Sequence, residues 1–288
     1  MSNASPHSNG GPSLLDRLPA SIFPRVSGLH AAALIIAILL IGLLIIPVLQ
    51  LIYVAFLDPN TGALTLQNFV DFFRTSLFRE SFWNSFYVSA MSVVVATVIA
   101  LPLAYITTRF NFAGSVVIQS LGFIPLIMPP FVGAVAMQLI FGRNGTLNLL
   151  MEEKFGINIP FMEGLNGVIL VQSIHYFPFI LINLSTSLRN IDRSMEEAAQ
   201  NLGSQGMRLF RRIVFPLAMP GYIAGAALVF IKVFDDLGTP LLLNVNNMLA
   251  PQAFLRISSI GISDPMGYVI SFILVAFSIF SLWASFLV

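Results

Sequence analysis

Few residues in this chain can ionise, so those lying in or beside its long apolar runs carry most of the chemical information. His175 stands between Ile174 and Tyr176 in one such run, shortly before Pro178. An imidazole there either binds a solute or a proton, or packs as a hydrogen-bonded interior side chain. Asp235 and Asp236 open the stretch Asp-Asp-Leu-Gly-Thr239-Pro240. Carboxylates at membrane depth are costly and often functional, so the pair either lines a polar path or forms the solvated end of a helix. Lys232 precedes Asp236 by one helical turn, a spacing that suits an ion pair. A fourth polar stretch, Arg189 to Pro216, holds five arginines between Arg189 and Arg212.

Several chemistries are missing. The chain has no cysteine, no His-Glu-x-x-His and no Gly-x-Ser-x-Gly, so thiolate metal sites and the common hydrolytic arrangements have no residues to build on. A phosphate-binding loop needs Gly-Lys-Ser/Thr. The only lysines, Lys154 and Lys232, follow Glu153 and Ile231. No enzymatic activity and no cofactor or metal on this chain are therefore expected, and energy for any work must come from a partner or an ion gradient. A formal net charge of +1 gives no reason to expect a nucleic-acid partner.

The elements that position these residues follow from hydropathy. Hydrophobic residues make up 57% of the chain and charged ones 9%, against about 25% charged in soluble domains. The expected solvent is lipid. About 20 apolar residues carry a helix across the hydrocarbon core. The uncharged runs 29–57, 81–108, 110–142, 164–188, 213–231 (reaching towards 234) and 266–288 predict six spans, hence an all-α polytopic membrane protein. The uncharged run 237–255 contains Gly238, Pro240, Asn244, Asn246, Asn247 and Pro251. It is expected as short helices or a partly re-entrant segment, since irregular backbone at membrane depth is tolerated only inside protein or over a cavity; as a seventh span it would be the competing count. Residues 1–28, rich in Ser, Asn, Pro and Gly, are expected to form a disordered cytoplasmic tail, with a membrane domain over 29–288. The interior prolines Pro47, Pro102, Pro125, Pro129, Pro130, Pro178, Pro216 and Pro220 predict kinks.

Orientation follows from Lys and Arg. With the N-terminus in the cytoplasm, the inner connections hold Arg17, Arg25, Arg109, Arg189, Arg193, Arg208, Arg211 and Arg212. The outer ones hold Arg74, Arg79, Arg143, Lys154, Lys232 and Arg256. The arginine-rich 189–216 segment is thus expected on the cytoplasmic side. Ser194 followed by Glu197 is a capping-box spacing, predicting a helix that starts near Met195. Gly203 can take the left-handed conformation that ends it. A second short helix is expected from about Gln205 to Arg212, its arginines at a C-terminal end, with Pro216 opening the fifth span. Ala198 and Ala199 leave a small surface for close approach, suited either to docking in a partner's groove or to lying on the membrane.

Glu197-Ala198-Ala199, three residues, Gly203, nine residues, Ile213, then Phe215-Pro216 resembles the EAA loop of permease subunits of binding-protein-dependent ATP-binding-cassette importers. The family's usual Leu before the proline is Phe215 here. The stretch Val233 to Pro240 is similar to the equivalent stretch in the ferric-iron, polyamine and aminoethylphosphonate group of these permeases. The resemblance covers roughly 82–288. It implies a multi-pass protein of the bacterial inner membrane whose Glu197, Ala198, Ala199, Gly203, Ile213 and Pro216 couple to separate ATPase subunits that bind ATP and magnesium. It also implies a periplasmic or surface substrate-binding protein and a second permease module, as homodimer, heterodimer or fused chain. Asp235, Asp236, Thr239 and His175 become candidates for the substrate path, with ferric iron, a polyamine or a phosphonate as cargo. Because residue 288 falls inside an apolar run, a longer two-module chain is a further expectation. The rival is an ion-coupled secondary transporter, which predicts internal repeats and discontinuous helices; no convincing repeat is visible.

Overall fold

The computed structural model describes residues 22–159, 161–259 and 264–287. Every regular element among them is helical. Two compact units are separated, 1–51 and 52–288.

In the first unit, α1 (Ile22–Leu40) runs through a π-turn (Ile41–Ile45) into α2 (Ile46–Ala55). It starts inside the segment expected to be a tail; residues 1–21 of that segment lie outside the described residues. Leu34, Ile36, Ile38 and Leu43 are all exposed, so this apolar helix needs lipid or another helix around it. The π-turn has an identifiable cause. Pro47 has no N–H and its ring would strike the carbonyl four residues back. The ladder widens just before it, and the Ile46 N–H donates to Ile41 O, five residues back.

The second unit is built on α4 (Ser76–Arg109), α9 (Gly164–Asn190) and α12 (Phe215–Phe234), which pack on one another. Membrane helices gain little from burying apolar surface against each other, so close backbone approach must supply the packing. The sequence provides small residues for it. Ser81, Ser85, Ser89, Ser92, Ala96, Ala100 and Ala104 form a fully buried ridge along α4. Gly221 and Gly225 do the same for α12. A Cβ at Gly225 would stand 2.8 Å from Ile180 Cα, and one at Gly221 would stand 2.7 Å from Asn183 O. Only glycine allows α12 to lie this close to α9. A second core is aromatic: α3 (Gln67–Arg74), α14 (Leu249–Ser259) and α15 (Pro265–Phe286) enclose Phe72, Phe78 and Phe234, with Phe277 stacked on Phe234 at 4.9 Å.

Among the described residues, five helices are long and apolar enough to cross a membrane. The expected third span, 110–142, is not one straight helix. It divides into α5 (Ser115–Leu121), α6 (Ile124–Ile127) and α7 (Pro130–Phe141); α8 (Thr146–Phe155), past residue 142, extends the second half, and the two halves meet at 105°. Pro129 and Pro130 account for the break: both lack a donor, and each pushes the residue before it out of the helical region. Counting the bent pair as one span restores six. The run 237–255 does form short helices, α13 (Gly238–Leu242) and then α14.

Candidate functional site

The 189–216 segment folds as a helix and a turn that lead directly into α12. α10 (Arg193–Asn201) is capped by Asp192, whose carboxylate accepts the Ser194 N–H at 2.9 Å. The cap is therefore not Ser194: a charged carboxylate at the positive end of a helix is the better acceptor. The Ser194 N–H and hydroxyl hold the Asp192 carboxyl below its usual range.

The far end of α10 matches the expectation. Gly203 has φ +85°. Its N–H donates to Gln200 O at 2.9 Å, and the Ser204 N–H to Ala199 O at 2.9 Å. Those two bonds make a Schellman motif. No atom lies within 4 Å of where a Gly203 Cβ would stand, so glycine is required here by backbone conformation alone.

The following helix differs from the expected one. α11 (Gly206–Leu209) continues through a second π-turn (Phe210–Val214) into α12 as one unbroken helix, Gly206–Phe234. Pro216 does not open the span; it is absorbed as Pro47 is, with the Phe215 N–H donating to Phe210 O. Arg208, Arg211 and Arg212 thus sit near the start of a long helix rather than at the end of a short one, so no macrodipole benefit attaches to them. They line a pocket of about 430 Å³ with Met207.

Burial divides α10 into two faces. Ala199 is buried, and Glu196 turns inward to an ion pair with Arg109, in the last turn of α4. Ile213 packs half-buried against the core. Next to that buried edge Met195 and Ala198 are exposed on α10, and Leu202, its C-terminal cap, is exposed at 89%, with Met207 beyond it at 70%. Glu197 is exposed beside them, lining with Arg193 and Gln200 a cleft of about 440 Å³. This is a rigid helix, braced at its buried edge and offering apolar side chains beside it. The sequence reading singled out Ala198 and Ala199 and missed Met195, Leu202 and Met207; their helical spacing was the available signal.

Asp235 and Asp236 take different roles. Asp235 is exposed and accepts a hydrogen bond from Ser278 Oγ of α15 at 2.8 Å. Asp236 Oδ2 accepts from Gln172 Nε2 of α9 at 2.7 Å and from the Thr239 N–H at 3.2 Å. The expected Lys232–Asp236 ion pair does not form among the described residues, whose pairs are Arg109–Glu196 and Arg256–Asp264. Instead Asp236 ties α9 to the start of α13. Thr239 and Gln172 are buried, and Thr239 Oγ1 and Gln172 Oε1 have no hydrogen-bond partner. His175 is buried, edge-on to Tyr176 at 4.7 Å, and both lie within electrostatic reach of Asp236. No hydrogen bond holds the His175 ring among the described residues. The 27 residues of α9 make a helix of about 40 Å, against a core of about 30 Å. Gln172 lies about 12 Å along it from Gly164. The Asp236 contact therefore lies about two turns inside α9 rather than at its end. Sequence reasoning named Asp236, Thr239 and His175 and missed Gln172.

Comparison with known proteins bears on both regions. Over 160 residues the chain is 32% identical to a probable molybdenum ABC transporter permease of Haloferax volcanii, covering 56% of this chain and 57% of that one. It is 27% identical over 230 residues to a putative ferric transport system permease of Haemophilus influenzae, covering 79% of this chain and 36% of that one. It is 26% identical over 226 residues to a spermidine/putrescine transport system permease of the same organism, covering 74% and 79%. The match thus spans little more than half of the molybdenum permease and about a third of the ferric one. A bacterial ABC transporter that imports alginate shares the fold, with TM-score 0.69 at 15% identity over 92% of this chain and 97% of that one. Residues 96–288 match the family model described as "Binding-protein-dependent transport system inner membrane component". With two thirds of its length inside that match, and with its helical membrane architecture, this chain belongs to the family of binding-protein-dependent transport system inner membrane components.

Proposed function

We propose that this chain is the permease subunit of an ATP-binding-cassette importer, forming the translocation path in the inner membrane with its N-terminus in the cytoplasm. A separate ATPase, holding ATP and magnesium, docks on α10; a substrate-binding protein delivers cargo from outside; a second permease module completes the path. The observation that carries this reading is the exposed Met195 and Ala198 on a helix held by the Arg109–Glu196 pair, with Leu202 exposed at its end. A rigid helix with apolar projections transmits displacement, and α10 is tied through Arg109 to α4. The turn at Gly203 hands that displacement on to the continuous Gly206–Phe234 helix. ATPase closure moves the bundle only if it stabilises one arrangement of these helices over the other. The cargo is a small charged solute: ferric iron, or a polyamine or phosphonate. The names of the ferric and spermidine/putrescine relatives support the first two.

Gly203→Val tests the coupling. A β-branched residue at φ +85° is strained by about 1–2 kcal/mol, so the turn should rearrange. Cargo moved per ATP hydrolysed should fall severalfold while the ATPase still co-purifies. A wild-type ratio in that variant, with the ATPase bound, contradicts the assignment.

A further inference from the structure

The three arginines that follow the Gly203 turn are spent on nothing inside the chain. Arg208, Arg211 and Arg212 are exposed near the start of the Gly206–Phe234 helix. Their spacing of i, i+3 and i+4 puts them on one face, and with Met207 they line a pocket of about 430 Å³. No ion pair or hydrogen bond engages any of the three guanidiniums among the described residues. Cations gathered in one pocket without an acid repel one another. A phosphate, which a guanidinium meets through two parallel hydrogen bonds, relieves that repulsion.

Depth fixes the source of the phosphate. Residues 213–231, between Arg212 and Lys232, are uncharged. The rise along the helix from one charge to the other is about 30 Å, the thickness of the hydrocarbon core. The arginines therefore stand where the helix leaves the hydrocarbon, at the level of lipid phosphates.

An apolar groove of about 400 Å³ opens beside them, lined by Leu101, Pro102, Ile106 and Phe110 on one side and by Met207 and Phe210 on the other. Met207 belongs to both the groove and the arginine pocket. Ile106 and Phe110 are exposed. α4 ends at Arg109, which is paired with α10, so Leu101 lies about 12 Å deeper in the membrane. The groove thus runs from the phosphate level down into the hydrocarbon. A soluble protein could cover the pocket but not enter the groove; a lipid fills both.

We propose that Arg208, Arg211 and Arg212 bind the phosphate of an anionic phospholipid whose acyl chain lies in the groove between the end of α4 and Phe210. The site requires only that Gly206–Phe234 crosses the membrane, and it is independent of what the protein transports. It fastens to the bilayer the joint at which the α10 turn meets α12.

The test is a titration of the full chain in detergent with phosphatidylglycerol and, separately, with phosphatidylcholine, bound lipid being counted by native mass spectrometry. Phosphatidylglycerol should be retained at least about tenfold better. Changing all three arginines together (Arg208→Gln, Arg211→Gln and Arg212→Gln) should abolish the preference, and the corresponding lysine changes should keep part of it. Ile106→Trp leaves the arginines in place and fills the groove from an exposed position; it should lower phosphatidylglycerol retention severalfold. Millimolar inorganic phosphate should not displace the lipid. Equal retention of the two lipids by the unaltered chain overturns the proposal, and this arm needs no variant to fold. A preference that survives the triple glutamine change also overturns it; loss of ATPase binding in that same variant would assign the arginines to the protein partner instead. Unchanged retention in Ile106→Trp, or release of the lipid by inorganic phosphate, would reduce the pocket to a site for free anions and overturn the lipid assignment.

Discussion

At the α10 end of the molecule the apolar side chains Met195, Leu202 and Met207 stand in the open, whereas around Asp236 the polar oxygens of Gln172 and Thr239 are shut in. Each arrangement is the reverse of what a finished fold prefers. Exposed apolar knobs on a braced helix suit another protein, while the orphaned oxygens belong to the two residues that tie Asp236 into the core. The α10 site is also local in sequence, capped by Asp192 and closed by Gly203. The Asp236 site depends on α9 meeting the segment after α12 and exists only when the whole core is assembled.

That dependence can be broken at Gly225. Leucine there would drive into Ile180 Cα, where a Cβ alone already falls at 2.8 Å. Overpacking against backbone should cost about 3 kcal/mol, the upper end of the usual range, and both regions should be weakened together. Membrane yield and monodispersity in detergent measure this; a well-behaved Gly225→Leu chain would show that the α9–α12 contact is looser than described.

Separating the two regions takes a gentler change. Glu196→Ala leaves Arg109 without its partner at 12% side-chain exposure. The expected cost is about 1–3 kcal/mol, less than for a fully buried pair. It should be confined to α10. Hydrogen exchange should rise across Arg193–Asn201 and stay unchanged near Gln172. A double-mutant cycle with Arg109→Ala should show strong coupling.

Leu202→Asp should sharpen the contrast further. At 89% exposure the side chain contributes little to the fold, so stability should stay within about 0.5 kcal/mol. Affinity for the ATPase should nonetheless fall about tenfold, equivalent to about 1.4 kcal/mol. Equal affinity would leave the exposed face without a role.

The smallest effect is acid fraying of α10. The Asp192 carboxyl is held below its usual range by the Ser194 N–H and hydroxyl. A depressed carboxylate stabilises at pH above its unfolded pKa, and that contribution is lost as pH falls through the folded value. A spin label at Ala198→Cys should therefore gain mobility on acidification below about pH 4. The same label should show no such step in an Asp192→Ala background.

How much of this was legible in sequence follows the same division. Glu197, Ala198, Ala199 and Gly203 lie in one short run, and their spacing carried both the helix and its left-handed end. The capping residue was misplaced because Asp192 and Ser194 are both good caps and only geometry shows which oxygen meets the Ser194 N–H. Hydropathy located the spans, and Pro129 and Pro130 signalled a kink, but neither gives its size, so a break of 105° was not legible. Pro216 looked like a start because a π-turn that absorbs a proline leaves no mark in composition. Gln172 was invisible for another reason: a neutral amide in an apolar run, 64 positions from Asp236, has no local pattern.

The central claim is that the open face of α10 is the ATPase dock on the cytoplasmic side. The chain has no cysteine, so one introduced thiol reports on one position. Leu202→Cys and Phe155→Cys, both at strongly exposed sites, should be probed with a membrane-impermeant maleimide. The account predicts that in intact cells only position 155 labels. In inverted membranes position 202 should label when the ATPase subunit is stripped away and be protected when it is restored. Labelling of position 202 from outside, or equal labelling with and without the ATPase, would contradict it.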